Sequence, residues 1–190
     1  MRNLGFTLID PTSVKENLIK LIALDWMLVT AGDRQKYNTM TANWGGVGYL
    51  WNKNVVFVFV RPERYTYEFM ERKGISEEIT MSSDTLISKT SDMFTLSFFD
   101  EKYREALNIC GSKSGRNCDK VAETGLKPCF TKFDNPTFKE ARLVIECRKL
   151  YAEMFSEDAF IDKGIFNTHY FKKGGLHKMY IAEIINVWEK

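Results

Sequence analysis

Residues Val55 to Val60 read VVFVFV, six consecutive apolar residues that are all β-branched or aromatic. Asn52-Lys53-Asn54 precede them with turn chemistry, and Arg61-Pro62 close them off. A run this short, without a polar face and between breakers, is a buried strand rather than a helix. The other segments fit the same plan. Trp26 to Thr30 (WMLVT) reads as a strand ending at a Gly32-Asp33 turn, and Thr39 to Trp44 reads as a strand or extended edge. Gly45-Gly46 has the composition of a bulge or sharp bend. Phe94 to Phe99 and Ala141 to Cys147 alternate, and Met179 to Trp188 is a long last strand. Leu150, Ala152 and Met154 alternate in the opposite phase to Leu143 and Ile145, which predicts a break near Lys149.

Helices are short and fall between these strands. Pro11-Thr12-Ser13 opens one, with Ser13 and Glu16 at capping-box spacing and Val14, Leu18, Leu21 and Ile22 on one face. Thr66 can cap another that runs to Arg72, with Phe69 inward and Lys73-Gly74 as stop signals. Asp100 caps a third whose apolar face is Tyr103, Ala106, Leu107 and Cys110. Asp119 to Thr124 forms a short one ended by Gly125. Phe155 to Tyr170 is loop-like, with a short helix at Glu157 to Ile161, and Lys172 to Gly175 is a turn. The fold class is mainly β with short helices, and 190 residues without a repeat or linker suit one domain, 1–190.

Lys and Arg number 27 against 25 Asp and Glu, so no strong pull toward nucleic acid is implied. The first residues lack the apolar core of a signal peptide, and no run approaches a membrane span, so the expected location is cytoplasmic, with no membrane partner. Cys110, Cys118, Cys129 and Cys147 include no C-x-x-C spacing and no paired histidines, which argues against a zinc site. Cys147 lies in an apolar strand pattern. Cys110 and Cys118 bracket GSKSGRN, where a redox role is the lesser reading.

The stretch Asn38 to Arg64 carries the functional reading. Asn38, Thr39, Thr41, Ala42 and Asn43 are small or hydroxylated, interrupted only by Met40, and let backbone donors approach an anion. Trp44 offers a flat face to a planar ring, and Arg61 and Arg64 can clamp a phosphate. A helix starting just after Arg64 adds its positive end. The same residues also fit plain turn chemistry and surface charge, and Thr66 fits a plain cap as well as a ligand-touching one. The loop Gly111 to Asn117, with Lys113 and Arg116, fits a cofactor border and a solvated connection equally.

Several of these stretches resemble the flavin reductase-like family, the FMN-binding split barrels, and within it the flavoredoxin branch. They are DWMLVTAGD (Asp25 to Asp33), NTMTANWGGVGYLW (Asn38 to Trp51), VVFVFVRPERYTYEFMER (Val55 to Arg72), MFTLSFFDEKYREALNICGSKSGRNCDK (Met93 to Lys120) and HKMYIAEI (His177 to Ile184). The resemblance implies a Greek-key split β-barrel, usually a homodimer with FMN where subunits meet. It assigns Asn38, Thr39, Met40, Thr41, Ala42, Asn43 and Trp44 to the FMN-contacting segment. Arg61, Arg64, Tyr65 and Thr66 go to the phosphate side, and Cys110, Ser112 and Lys113 to a loop bordering the cofactor. His177 matches a histidine near the flavin or nicotinamide. Two departures stand out. Gly74 to Ser91 adds about 18 residues, largely polar and rich in Ser and Thr, where relatives pass almost directly into the next strand, which suits a surface insertion. Ile181-Ala182-Glu183 replaces the usual IGE.

The function implied is an oxidoreductase passing electrons from NAD(P)H through bound FMN to flavin or another acceptor. The alternative is a non-enzymatic, flavoredoxin-type FMN carrier fed by a redox protein partner. No G-x-G-x-x-G element follows a strand, so NAD(P)H would visit the flavin face transiently rather than occupy a Rossmann site. The cofactor carries the chemistry and no side chain need be a nucleophile.

Overall fold

The computed structural model describes residues 1–72, 78–81, 85–88, 92–172 and 174–190, with backbone alone over 78–81 and 85–88. The strands are β1 (Thr7–Ile9), β2 (Met27–Gly32), β3 (Tyr37–Ala42), β4 (Gly45–Leu50), β5 (Lys53–Val60), β6 (Glu78–Met81), β7 (Thr85–Ser88), β8 (Met93–Phe98), β9 (Pro128–Phe130), β10 (Pro136–Phe138), β11 (Leu143–Met154) and β12 (Lys178–Glu189). The α-helices are α1 (Leu18–Lys20), α2 (Tyr65–Met70), α3 (Arg104–Ser112), α4 (Lys120–Thr124) and α5 (Lys163–His169). One antiparallel sheet runs in the order β3-β2-β8-β11-β12-β5-β4, and β1 adds to the far end of β12.

The edges of that sheet decide its shape. β3 and β4 lie at opposite ends of the strand order, yet only Asn43 and Trp44 connect them. Three Cα steps reach at most about 11 Å. The sheet must therefore curl until its edges nearly meet, and among the described residues no ladder joins β3 to β4. The result is a split barrel of the kind the resemblance implies, with its sheet left unclosed at Asn43–Trp44. No helix among the described residues is long and apolar enough to cross a membrane.

Strand alternation sorts side chains into two cores. Val29, Ala31, Leu143, Ile145, Cys147, Val56, Val58 and Val60 fill one cluster with Phe69 and Tyr180. Leu28, Val144 and Trp188 turn the other way, onto Ala106, Leu107 and Cys110 of α3. The break expected near Lys149 is present: the β11–β12 register shifts between Lys149 and Tyr151, and again between Glu146 and Cys147. Beside the second shift, the buried Glu146 carboxyl accepts from Thr131 Oγ1, Asn135 Nδ2 and Asn186 Nδ2 at 2.5–2.7 Å, and burial pushes its pKa up.

Several local expectations are corrected. Ser13 and Glu16 form no capping box. Asp10 caps a single 3-10 turn, Asn17 caps α1, and Glu16 pairs instead with Arg142. Gly45-Gly46 is neither bulge nor bend but the start of β4, in register with Val58 and Phe57. The turn before β5 is Trp51-Asn52, both at positive φ, one position earlier than Asn52-Lys53-Asn54. Thr66 does not cap α2: Arg64 holds that position, and the helix stops at Met70 rather than Arg72. Lys163–His169 is a helix capped by Asp162 where a loop was expected, and the β9–β10 hairpin carried no recognised pattern. Gly125 does end α4, at φ 68°. Of the expected insertion at 74–91, the backbone of β6 and β7 pairs as a hairpin. The rest of that segment, Lys73, and Lys173 in the expected turn lie outside the described residues.

Candidate functional site

The split between β3 and β4 opens into a cavity of about 300 Å³ lined by Met40, Thr41, Ala42, Asn43, Trp44, Phe59, Arg61, Arg64 and His177. A smaller cavity of about 60 Å³ adjoins it through Met40 and Arg64. Its other walls are Asn38, Glu63, Tyr65, Thr66, Lys113, Ser114, Gly115 and Lys120.

The smaller cavity is polar and held stiffly. Asn38, on β3, donates through Nδ2 to Thr66 Oγ1 at 2.7 Å and to Thr39 O at 3.2 Å. Thr66 is fully buried, and this bond rather than a cap occupies its hydroxyl. Arg64 Nη2 donates to Gly111 O at 2.6 Å, tying α2 to the end of α3. Lys120 begins α4, is 7% exposed, and donates to Thr39 O and Cys110 O, both at 2.7 Å. An ammonium has three protons, so one remains beyond these two bonds. Burial pushes the Lys120 amine down, with Cys110 opposing and Arg64 adding to the shift. Arg64 is lowered by burial and by Arg61. Two crowded, desolvated cations are the arrangement an anion relieves. Lys113 pairs with Glu123, and Glu63 Oε1 accepts from Gly175 N at 2.5 Å.

The larger cavity combines aromatic rings with the Arg61 and Arg64 guanidinium groups. Trp44, 42% exposed, stands 5.3 Å from the rings of both His169 and His177. His177 is buried, and its Nδ1 lies 2.9 Å from Tyr170 Oη. Arg61 Nη2 donates to His169 O at 2.9 Å, and its guanidinium lies 5.3 Å from the Tyr170 ring.

Three residues that the resemblance assigns to the cofactor are absent from these walls. Thr39 points its hydroxyl at Thr30 Oγ1, 2.9 Å away, because strand alternation turns it from its neighbours. Cys110 is on the inner face of α3, with its thiol pushed up to about 11 by burial, which leaves it unreactive at neutral pH. Ser112 is exposed and donates to Asn108 O at 2.8 Å. Lys120, Glu63 and Phe59 line the walls but were not anticipated, and Ser114 and Gly115 lie there in the Gly111 to Asn117 loop that fitted a cofactor border. The only sequence signal for Lys120 was a lysine directly after a helix-capping Asp, which normally marks a solvated face.

His177 gives the site an acid limit. Burial first, and then Arg61, lower its pKa from 6.5 to about 4, with Glu63 opposing. The unfolded chain thus binds a proton at a higher pH than the folded one. The contribution is fully present above pH 6.5 and is lost as pH falls toward 4. We expect wild-type stability to fall by about 2 kcal/mol more than that of H177Q across this window, after allowance for screening. Urea melts of both proteins at several pH values check this. Parallel curves would show that His177 titrates normally.

A sequence model of the family described as flavin reductase like domain matches residues 20–190. No curated protein matches the chain at a significant level. The fold is similar to that of an FMN-binding domain of a flavin reductases-like enzyme from Shewanella baltica, with TM-score 0.62 and 16% identity over 97% of this chain and 76% of that one. It is similar to flavoredoxin of Desulfovibrio vulgaris, with TM-score 0.60 and 22% identity over 96% and 77%. Nitrilotriacetate monooxygenase component B from Bacillus cereus gives TM-score 0.58 and 15% identity over 94% and 79%. At such identities the structural likeness is one of fold.

Proposed function

The chain belongs to the flavin reductase-like family, and we propose that its two adjoining cavities hold FMN and that it passes electrons from NAD(P)H through this cofactor to a free flavin or another acceptor. The observation carrying this reading is the division of chemistry between the cavities. The smaller one gathers Lys120, Thr66 and Ser114 around Arg64, which lines both, and the larger one adds Trp44, Phe59 and His177 beside Arg61. A phosphate at one end of a ligand and a planar ring at the other match that division. The fit is supported by Lys120, whose nine-tenths buried amine keeps one proton beyond its two carbonyl bonds.

When bound, FMN supplies the hydride and electron chemistry. The chain's residues bind, orient and shield. Lys120 and Arg64 would hold the phosphate by charge, with Ser114 beside them. Asn38 and Thr66 hold each other, and so fix β3 against α2 where the phosphate enters. Trp44 and Phe59 would border the ring and exclude water. His177, neutral at pH 7, offers a polar edge without a charge. Arg61, fixed to His169 O, adds the cation that favours the anionic parts of a nicotinamide dinucleotide.

Purified protein mixed with FMN should turn yellow and retain the flavin through desalting. Rapid anaerobic loss of the flavin's visible absorbance with NADH or NADPH is the expected result. Bleaching by a reduced redox protein but by neither nucleotide would replace the reductase with the carrier. A folded protein that takes up no FMN would overturn both.

We further propose a homodimer. Tyr49, Trp51, Tyr151 and Met154 are exposed on β4, its turn and β11, and the Trp51 and Tyr151 rings are 6.5 Å apart. Trp51 keeps φ 52°, a conformation costing a non-glycine residue about 1 kcal/mol. An exposed apolar face of this kind marks an interaction surface. Light scattering is expected to give twice the 22.1 kDa chain mass, and a single-chain mass at micromolar concentration would refute it.

A further inference from the structure

Tyr170 ends α5, the helix absent from the sequence reading, and only the chain's return to β12 separates it from His177. Its ring is buried among Phe160 at 5.4 Å and Phe166 at 6.3 Å, with the Arg61 guanidinium over it. The bond between Tyr170 Oη and His177 Nδ1, 2.9 Å long, joins two buried groups. Burial keeps both neutral, raising the phenol and lowering the imidazole. The charged and titratable groups facing His177 are Arg61 from the end of β5, Glu63 from the following turn, Tyr170 from α5 and Arg64 across the cavity.

A neutral imidazole carries one proton, and two placements are open to it. With the proton on Nδ1, the ring would donate to Tyr170, and the Tyr170 hydroxyl proton would need another acceptor. Among the described residues, Nδ1 is the only hydrogen-bond partner of that hydroxyl. With the proton on Nε2, Tyr170 donates to Nδ1 and both groups are satisfied. Nε2 makes no hydrogen bond within the described protein, and it is not among the sealed, partnerless side-chain atoms. It therefore reaches accessible space on a ring that lines the larger cavity.

We propose that Tyr170 is a positioning residue: its hydroxyl donates to His177 Nδ1 and holds the imidazole as the Nε2–H tautomer, so that the larger cavity offers an uncharged N–H to a carboxamide or carbonyl oxygen of the incoming reductant. The partner class follows from the donor. A neutral N–H beside Arg61 recognises an uncharged oxygen acceptor, whereas the Arg61 guanidinium takes the anionic portions. This inference rests on the larger cavity being where cofactor and reductant meet.

Long-range nitrogen–proton correlation spectra of histidine-labelled protein test the tautomer directly, with H169Q assigning the two rings. Wild type is expected to show a bare Nδ1 and a protonated Nε2 at His177 at neutral pH. Y170F keeps the aromatic ring but loses the donor. Its His177 should become a tautomer mixture, with a titration midpoint higher by roughly half to one pH unit. In the FMN-loaded protein the KM for the nicotinamide substrate should rise about fivefold with kcat changed less than twofold. A wild-type His177 protonated on Nδ1 overturns the proposal, whether or not Y170F folds. So does a Y170F protein with an unchanged tautomer and midpoint. Failure of the wild type to bind FMN would instead overturn the reading of the cavity and the reductant clause with it, while the spectra still decide what Tyr170 does to His177.

Discussion

Replacing Lys120 with methionine is expected to weaken FMN binding by at least about 100-fold while changing riboflavin affinity less than about fivefold. Riboflavin carries the same ring without the phosphate, so the pair of ligands separates the two cavities. The physical basis is the placement of the amine. Lys120 Nζ is buried between Thr39 O and Cys110 O and lines the cavity shared with Arg64 and Thr66. Methionine fills similar volume but removes the charge, the remaining proton and both carbonyl bonds. Cys110 O then loses its side-chain donor and Thr39 O keeps only Asn38 Nδ2, which should lower stability by about 2 kcal/mol. Arginine is not expected to rescue binding, because its planar fork does not reproduce an ammonium placed between two carbonyls. Fluorescence titration with both flavins, together with thermal melts, measures this. Equal losses for FMN and riboflavin would mean that Lys120 supports the fold and not the phosphate.

The second large effect is expected from G115A. A Cβ at Gly115 would lie 2.0 Å from Asn38 Oδ1, 3.1 Å from Asn38 Cγ and 3.2 Å from Tyr65 Cδ1. Asn38 cannot simply swing aside, since its amide is buried and bound to Thr66 Oγ1 at 2.7 Å. One methyl group must therefore displace either the Ser114–Asn117 turn or the Asn38–Thr66 bond. The expected cost is about 2 kcal/mol of stability, from overpacking and a buried polar pair pulled apart. FMN affinity should fall about tenfold or more, because both sides of the smaller cavity move. Gly111, whose added Cβ would meet Thr41 Cβ at 3.2 Å, provides the comparison: G111A should loosen α3 against β3 with a smaller effect on the phosphate end. Matching melting temperatures and flavin affinities for G115A and wild type would show that the turn yields freely.

The barrel strands were legible because their signals are local. The VVFVFV run, the alternation of Phe94 to Phe99 and the phase reversal around Lys149 each follow from side-chain period alone, and each lies close to its observed element. The short helix α4 and its end at Gly125 were legible for the same reason. Misreadings arose where a second element overrode a local pattern. Ser13-x-x-Glu16 has the spacing of a capping box, but Glu16 is drawn off by Arg142, which also holds Asp25. Thr66 has the chemistry of a cap, but Asn38 from β3 takes its hydroxyl. Gly45-Gly46 suggests a bend, but Gly45 is where β4 crosses close to β5: a Cβ there would meet Phe57 O at 2.9 Å.

For the site, composition and order alone determined that small hydroxyl residues, a tryptophan and two arginines lie within one stretch, because covalent neighbours stay neighbours. Eleven of the fourteen residues assigned to the cofactor were named from that stretch and its flanks, and all but Thr39, turned away by strand alternation, line the two cavities. Only the tertiary structure decided that Lys120, eighty-one positions from Thr39, caps that strand's carbonyl. The same is true of the bond between Tyr170 and His177, only seven positions apart but brought together by the chain's return from α5 to β12. The reason is that burial, a third proton left over on an amine and the tautomer of an imidazole are properties of the neighbours a side chain acquires on folding, and a closed-up sheet brings those neighbours from parts of the chain that no local period connects.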